Sequence, residues 1–259
     1  MRFGICTSYD KADAVKASGW DYIEECVQTF HQGLLPDEQW KGMDKLQISA
    51  LPVPAANMLV PGDLKITGPA VDSSKLQTYI SRVIERAGKT ETRRLVFGSG
   101  NARNVPDRFD RETAMRQIRA FLDFAAPLLA KHDVALVIEP LNRNECNIIN
   151  SVAEAMEYVK AVNHPNVQCL VDSYHFWLED EPLEQLKAAM PWIKHVHVAD
   201  QEGRVAPGLS GRSDYKPFFQ TLKQGNYTGD ISVECLNFTD YKSQGPPVLE
   251  FLKAQWNQA

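Results

Sequence analysis

The sequence predicts an α/β protein folded as a single closed (β/α)8 barrel over residues 1–259. Three observations predict it. Short β-rich apolar runs recur along the chain, amphipathic helix-like stretches separate them, and the length of 259 residues is close to the roughly 250 typical of one such barrel. Alternation of this kind marks parallel strands joined by crossover helices. Eight units in this length fit a closed barrel better than an open sheet.

The eight runs are Arg2–Thr7 (RFGICT), Tyr22–Val27 (YIEECV), Ile48–Val53 (ISALPV), Arg94–Gly98 (RLVFG), Ala135–Leu141 (ALVIEPL), Val167–Asp172 (VQCLVD), Ile193–Ala199 (IKHVHVA) and Asp230–Leu236 (DISVECL). Between them lie helical patterns. In Arg111–His132, apolar residues fall at Ile118, Phe121, Leu122, Ala125, Leu128 and Leu129, and in Ser151–Val162 the leading serine is placed to cap the first turn. The longest irregular stretches, Pro54–Ala70 and Gln201–Asp214, each follow an expected strand. In this TIM-barrel architecture they lie on the C-terminal face, where loops build the active site, and they are candidates for substrate contacts or a lid.

Composition narrows the function class. Hydrophobic residues make up 44% and charged residues 24%, which argues against disorder, a fibre or a coiled coil. A net charge of -5 and a pI near 5.7 leave no excess of cations for phosphates or anionic lipid, so nucleic acid and membrane partners are disfavoured. No run approaches the roughly 18 apolar residues that would span a bilayer. The opening MRFGICTSYDKAD lacks the order of a secretory signal, and the expected location is the cytoplasm. Five cysteines (Cys6, Cys26, Cys146, Cys169, Cys235) are an odd number without a CxxC, which fits reduced thiols packed as small hydrophobes rather than a disulfide frame or zinc-thiolate site. Cys235, beside Glu234, has a rival reading as a nucleophile, but core packing is favoured.

The informative anomaly is a polar residue at the end of each of four consecutive apolar strands, because an unpaired carboxylate there is costly to bury. Glu139, Asp172, His197 and Glu234 hold these positions on the fifth to eighth runs. Adjacent strands lie about 5 Å apart, so the four side chains can converge on one ion. Three carboxylates and one imidazole suit Mn²⁺ first, with Mg²⁺ or Co²⁺ as alternatives, over copper or structural zinc. Singly, each has a plain explanation: a salt-bridge glutamate, a helix-capping aspartate, a histidine bonded to a carbonyl. Together those explanations need four coincidences. Both histidines of HVHVAD point to the same face; His197 is nearer the carboxyl end and is chosen as ligand, with His195 a deeper neighbour.

EPLNRNE at Glu139–Glu145, DSYH at Asp172–His175, HVHVADQEGRVAPG at His195–Gly208 and VEC around Glu234 together resemble the xylose isomerase-like barrel superfamily, and within it the ketose 3-epimerases related to D-tagatose and D-psicose 3-epimerase. The resemblance runs from about Ala135 to Asn237 and is weak before that. It implies the same four metal ligands, and substrate-oxygen contacts from Glu145, His175 and an arginine after the seventh strand. Arg204 is the nearest arginine, seven residues beyond His197 where the resemblance implies six, although its spacing to Pro207 fits. Arg143 is read as a brace for Glu139.

The expected chemistry is divalent-metal-dependent epimerisation or isomerisation of a ketose or keto-sugar. A proton is removed next to a carbonyl, an enediolate is stabilised, and Glu139 and Glu234 act as the acid/base pair from opposite faces of the sugar. The same intermediate also permits elimination from a 3-keto-glycoside. A non-catalytic sugar-binding barrel and an abasic-site endonuclease are further rivals. The endonuclease class relies on more metal-binding histidines, whereas His31, His132 and His164 of the six present fall in helices or connections. A small-molecule sugar is the expected partner, in a homo-oligomer. Asn57–Gly68 is expected to cover it, with Met58, Leu59 and Val60 as an apolar wall or dimer contact.

Overall fold

The computed structural model describes residues 1–259, and its eight strands close into one parallel barrel in sequence order. They are β1 (Phe3–Cys6), β2 (Tyr22–Cys26), β3 (Ala55–Asn57), β4 (Arg94–Phe97), β5 (Ala135–Ile138), β6 (Val167–Asp172), β7 (Ile193–Val198) and β8 (Ile231–Val233). Closure is made by β1 against β8, with Gly4 opposite Ser232. No helix is long and apolar enough to cross a membrane.

Seven strands lie within the expected runs; β3 does not. Ile48 ends the helix Gly42–Ile48 and is exposed, while Leu51 and Val53 are buried in extended chain that joins no ladder. The intervening prolines explain this. Pro52 and Pro54 have no N–H to donate, and each offers only its carbonyl, to Ile23 N and to the Arg93 and Arg94 amides respectively. Ladder pairing begins at Ala55, opposite Glu24, so the stretch expected to be an irregular loop from Pro54 starts as the strand itself.

Side-chain alternation divides the strands into two populations. Outward positions such as Ile5, Ile23, Leu95, Phe97, Leu136, Ile138, Val171, Val196, Ile231 and Val233 belong to one apolar layer shared with the helices. Inward positions contribute a small separate cluster, Val96, Val137 and Leu170, and alongside it the polar side chains Tyr22, Glu24, His195, His197 and Ser232, all essentially inaccessible. Gly4 makes that interior possible: a Cβ there would overlap the ring of Tyr22, whose hydroxyl meets Ser232 Oγ at 2.8 Å. At the amino end, Asp230 accepts from both Arg2 and Arg94.

The helices follow the expected signals. Arg111–Lys131 buries Ile118, Phe121, Leu122, Ala125 and Leu129 and is capped by Asp110, which accepts from Thr113 N. Ser151 accepts from Glu154 N at the start of Val152–Val162.

Candidate metal and sugar site

Four side chains meet at the carboxyl end of the barrel. Glu139 and Glu234 lie one residue beyond β5 and β8, where Glu139 N and Glu234 N still bond to Phe97 O and Val198 O. Asp172 is the last residue of β6 and His197 is opposite it on β7. One ligand atom from each of the four lies within 4.8 Å of the others. His197 Nδ1 is 3.2 Å from Glu139 Oε1 and 3.7 Å from Glu234 Oε2.

Asp172 divides its oxygens between two tasks. Oδ1 caps the helix Ser173–Leu178 by accepting from Tyr174 N at 2.8 Å, as the plain explanation of a strand-end aspartate anticipates. Oδ2 is buried and has no hydrogen-bond partner; His175 Nε2 and the Arg204 guanidinium are each 3.8 Å away. A buried carboxylate oxygen without a donor is costly, and it faces the cluster.

Each carboxyl has a distinct environment. Burial pushes Asp172 up to about 7 against the pull of Arg204, and burial together with the charge of Glu234 raises Glu139. Burial also acts to raise Glu234, but His197 and Arg204 outweigh it and hold that carboxyl down at about 2. Glu234 is fixed at both oxygens: Asn57 Nδ2 donates to Oε1 at 3.0 Å and Arg204 donates to Oε2 at 2.5 Å. Glu139 is fixed from behind, by Arg103 donating to its carbonyl at 2.7 Å, and its carboxyl occupies space that a Cβ on Gly98 would fill.

The residues implied as sugar contacts gather at the same mouth. Arg204 spans from Glu234 to Glu145, with 3.2 Å to Glu145 Oε1, and its guanidinium lies 4.8 Å from the ring centroid of Tyr174. The one-residue displacement in sequence therefore does not remove it from the site. Its loop is tied down by Asp200, which accepts from Gly208 N, Ser210 N, Ser210 Oγ and Tyr215 Oη. His175 Nδ1 accepts from Asn142 N and Nδ2, which leaves Nε2 carrying the proton, buried and without a partner. Burial and Arg204 push His175 down to about 3, so the ring is neutral. Glu145, Arg204, Glu139 and Glu234 line a cavity of about 320 Å³ together with Met58, Val60 and Asn101.

Two expectations need correction. Arg143 does not brace Glu139; its exposed side chain pairs with Glu179, and the bracing arginine is the fully buried Arg103. Of the expected apolar wall, Leu59 is core, and only Met58 and Val60 reach the cavity. Three residues to which the sequence assigns no contact with the four also take part: Asn57, Arg103 and Glu24, the last of which accepts from the histidines of β7 across the barrel. The polar doublet inside YIEEC was the available signal for Glu24, since it breaks an apolar strand as the other four do.

Known proteins are similar to this chain in sequence over part of their length and in fold over nearly all of it. 3-Dehydro-D-guloside 4-epimerase of Escherichia coli K12 is 35% identical over 106 residues, 40% of this chain and 40% of that protein. D-psicose 3-epimerase of Agrobacterium fabrum is 33% identical over 118 residues, 45% of this chain and 39% of that protein. The matched segments thus span about two fifths of either relative. The crystal structure of 3-keto-D-glucoside 4-epimerase from E. coli superposes with a TM-score of 0.82 at 22% identity, covering 98% of this chain and 99% of that one, a likeness of fold. A model of one family matches residues 12–255, and by that span the chain belongs to the xylose isomerase-like TIM barrel family.

Proposed function

We propose that this protein is a divalent-metal-dependent epimerase of a ketose or keto-sugar. The observation that carries the reading is the unpartnered Oδ2 of Asp172, buried among Glu139, His197 and Glu234. Three carboxylates and one imidazole nitrogen fit a hard to borderline ion, manganese first, with magnesium or cobalt as alternatives. Glu139, Asp172, His197 and Glu234 would hold it. When bound, it would supply Lewis-acid stabilisation of charge developing on the sugar's carbonyl oxygen.

The chain's own groups would do the rest. Glu234, held ionised by His197 and Arg204 and oriented by Asn57, suits removal of the proton on the carbon next to the carbonyl. Glu139, whose carboxyl is raised by burial, suits its return to the other face, which inverts the stereocentre. Neutral His175 offers Nε2–H to a sugar oxygen, and Glu145 and Arg204 orient hydroxyls. The names of the two relatives favour two substrate classes, a free ketose and a 3-keto-glycoside. A sugar as small-molecule partner, a homo-oligomeric enzyme and a cytoplasmic location complete the proposal.

The test is exchange of carbon-bound hydrogen. In D₂O with Mn²⁺, deuterium is expected to enter one carbon next to the carbonyl in a panel of ketoses and 3-keto-glycosides, and Glu234→Gln is expected to lose at least a hundredfold in exchange rate while still binding Mn²⁺. Binding of sugar without any exchange would sink the catalytic reading. Full turnover by the variant would sink the assignment of Glu234.

A further inference from the structure

Beneath the four-donor cluster the barrel holds a further carboxylate that the proposed chemistry does not use. Glu24 is 1% exposed and no lysine or arginine pairs with it. Its Oε1 lies 2.9 Å from His197 Nε2, and its Oε2 lies 2.7 Å from His195 Nε2 and accepts from Ser232 Oγ at 2.6 Å. Ser232 is met in turn by the hydroxyl of Tyr22. A charge sealed inside a barrel is costly unless it is paired and hydrogen-bonded, and Glu24 meets that condition only through these three side chains. Here its partner is the far side of the one imidazole in the cluster.

We infer that Glu24 is a positioning residue for the metal: it takes the Nε2–H of His197 and thereby turns the free Nδ1 of that ring toward the ion held by Glu139, Asp172 and Glu234. A neutral imidazole has one N–H and one lone pair, so a carboxylate that fixes the proton on one nitrogen fixes which nitrogen can bind a cation. Glu24 engages both β7 histidines, so the ring planes of His195 and His197 are set together. This inference rests on the metal reading above.

The geometry also defines the competing arrangement. One ligand atom from each of Cys6, Glu24 and His197 lies within 4.8 Å of the others, and Glu24 approaches the ring from its Nε2 side. An ion there would make Glu24 a ligand and His197 an Nε2 donor. The Nδ1 side is favoured because it gathers one more donor and contains the unpartnered Asp172 oxygen, whereas both Glu24 oxygens are already engaged.

The experiment compares chelator-stripped wild type, Glu24→Gln, Glu24→Asp and Cys6→Ser, with Mn²⁺ affinity measured from the free-ion paramagnetic resonance signal and Co²⁺ binding followed by absorption. Both Glu24 variants are expected to bind Mn²⁺ about 10- to 100-fold more weakly than wild type, and Cys6→Ser to bind as wild type. The wild-type Co²⁺ spectrum is expected to lack a thiolate charge-transfer band. Mn²⁺ affinity within threefold of wild type in a folded Glu24 variant overturns the positioning role and leaves the metal reading standing. A charge-transfer band that disappears in Cys6→Ser overturns it in favour of the Cys6 side, and needs no Glu24 variant to fold. Wild type that binds neither ion removes the metal reading and this inference with it.

Discussion

Replacing Glu25 with glutamine should change how stability depends on pH. Glu25 sits on the outer face of β2, is 2% exposed, and accepts from Tyr9 N. Burial pushes its carboxyl from 4.5 up to about 7, despite the backbone donors and Lys45. The folded protein therefore keeps a proton that the unfolded chain releases above 4.5. Between these limits the native state binds more protons than the unfolded state, so stability is fully present below about 4.5 and falls as pH rises through about 7. At about 1.36 kcal/mol per pH unit the loss reaches about 3 kcal/mol. Glu25→Gln places a neutral group of the same shape there and should lack this term. Urea unfolding of both chelator-treated proteins at pH 4.5 and pH 8 measures it, and the difference between the two proteins should shift by about 3 kcal/mol in favour of glutamine at the higher pH. Contributions of other groups cancel in that difference. Parallel stability curves would show that Glu25 is ionised in the folded state and would refute the reasoning.

Two further substitutions probe the supports of Glu139. Gly98→Ala inserts a methyl where the Glu139 carboxyl lies, and should weaken Mn²⁺ binding by about tenfold or more, as disturbed ligand orientation does, while circular dichroism shows an unchanged fold. Arg103→Met leaves the buried carbonyl of Glu139 without a donor and leaves that of Phe97 with Glu139 N alone; at about 1–3 kcal/mol for an unpaired group, urea unfolding should show a loss of about 2 kcal/mol.

What the sequence made legible follows the range of the interaction behind it. β6 is bounded at both ends because Val167–Asp172 is an apolar run, interrupted only by Gln168, that a charge closes. The third strand was displaced because periodicity counts Leu51 and Val53 as strand residues, whereas the ladder depends on N–H donors that Pro52 and Pro54 lack. The four converging residues were legible because each interrupts its own strand, a signal that needs no partner. Glu24 interrupts its strand in the same way, but its role is not legible there, since it lies in histidines 171 and 173 residues away. Arg103 ends the short helix Gly100–Arg103 after β4, 36 residues before Glu139, whereas Arg143 is near Glu139 in sequence rather than in space.

Asp200 has a consequence for how this barrel can be altered. By gathering Gly208, Ser210 and Tyr215 onto one carboxylate, with Ser213 Oγ accepting from Gln201 N, it closes residues 201–214 on themselves. The segment that carries Arg204 keeps its shape through bonds to its own base, with Leu236 N to Arg204 O as a tie to the chain after β8. Such a segment is a cassette: exchanged whole, from Asp200 to Tyr215, it can bring a different side chain to the mouth of the cavity without rebuilding the barrel floor, whereas single replacements within it must work against the aspartate's knot.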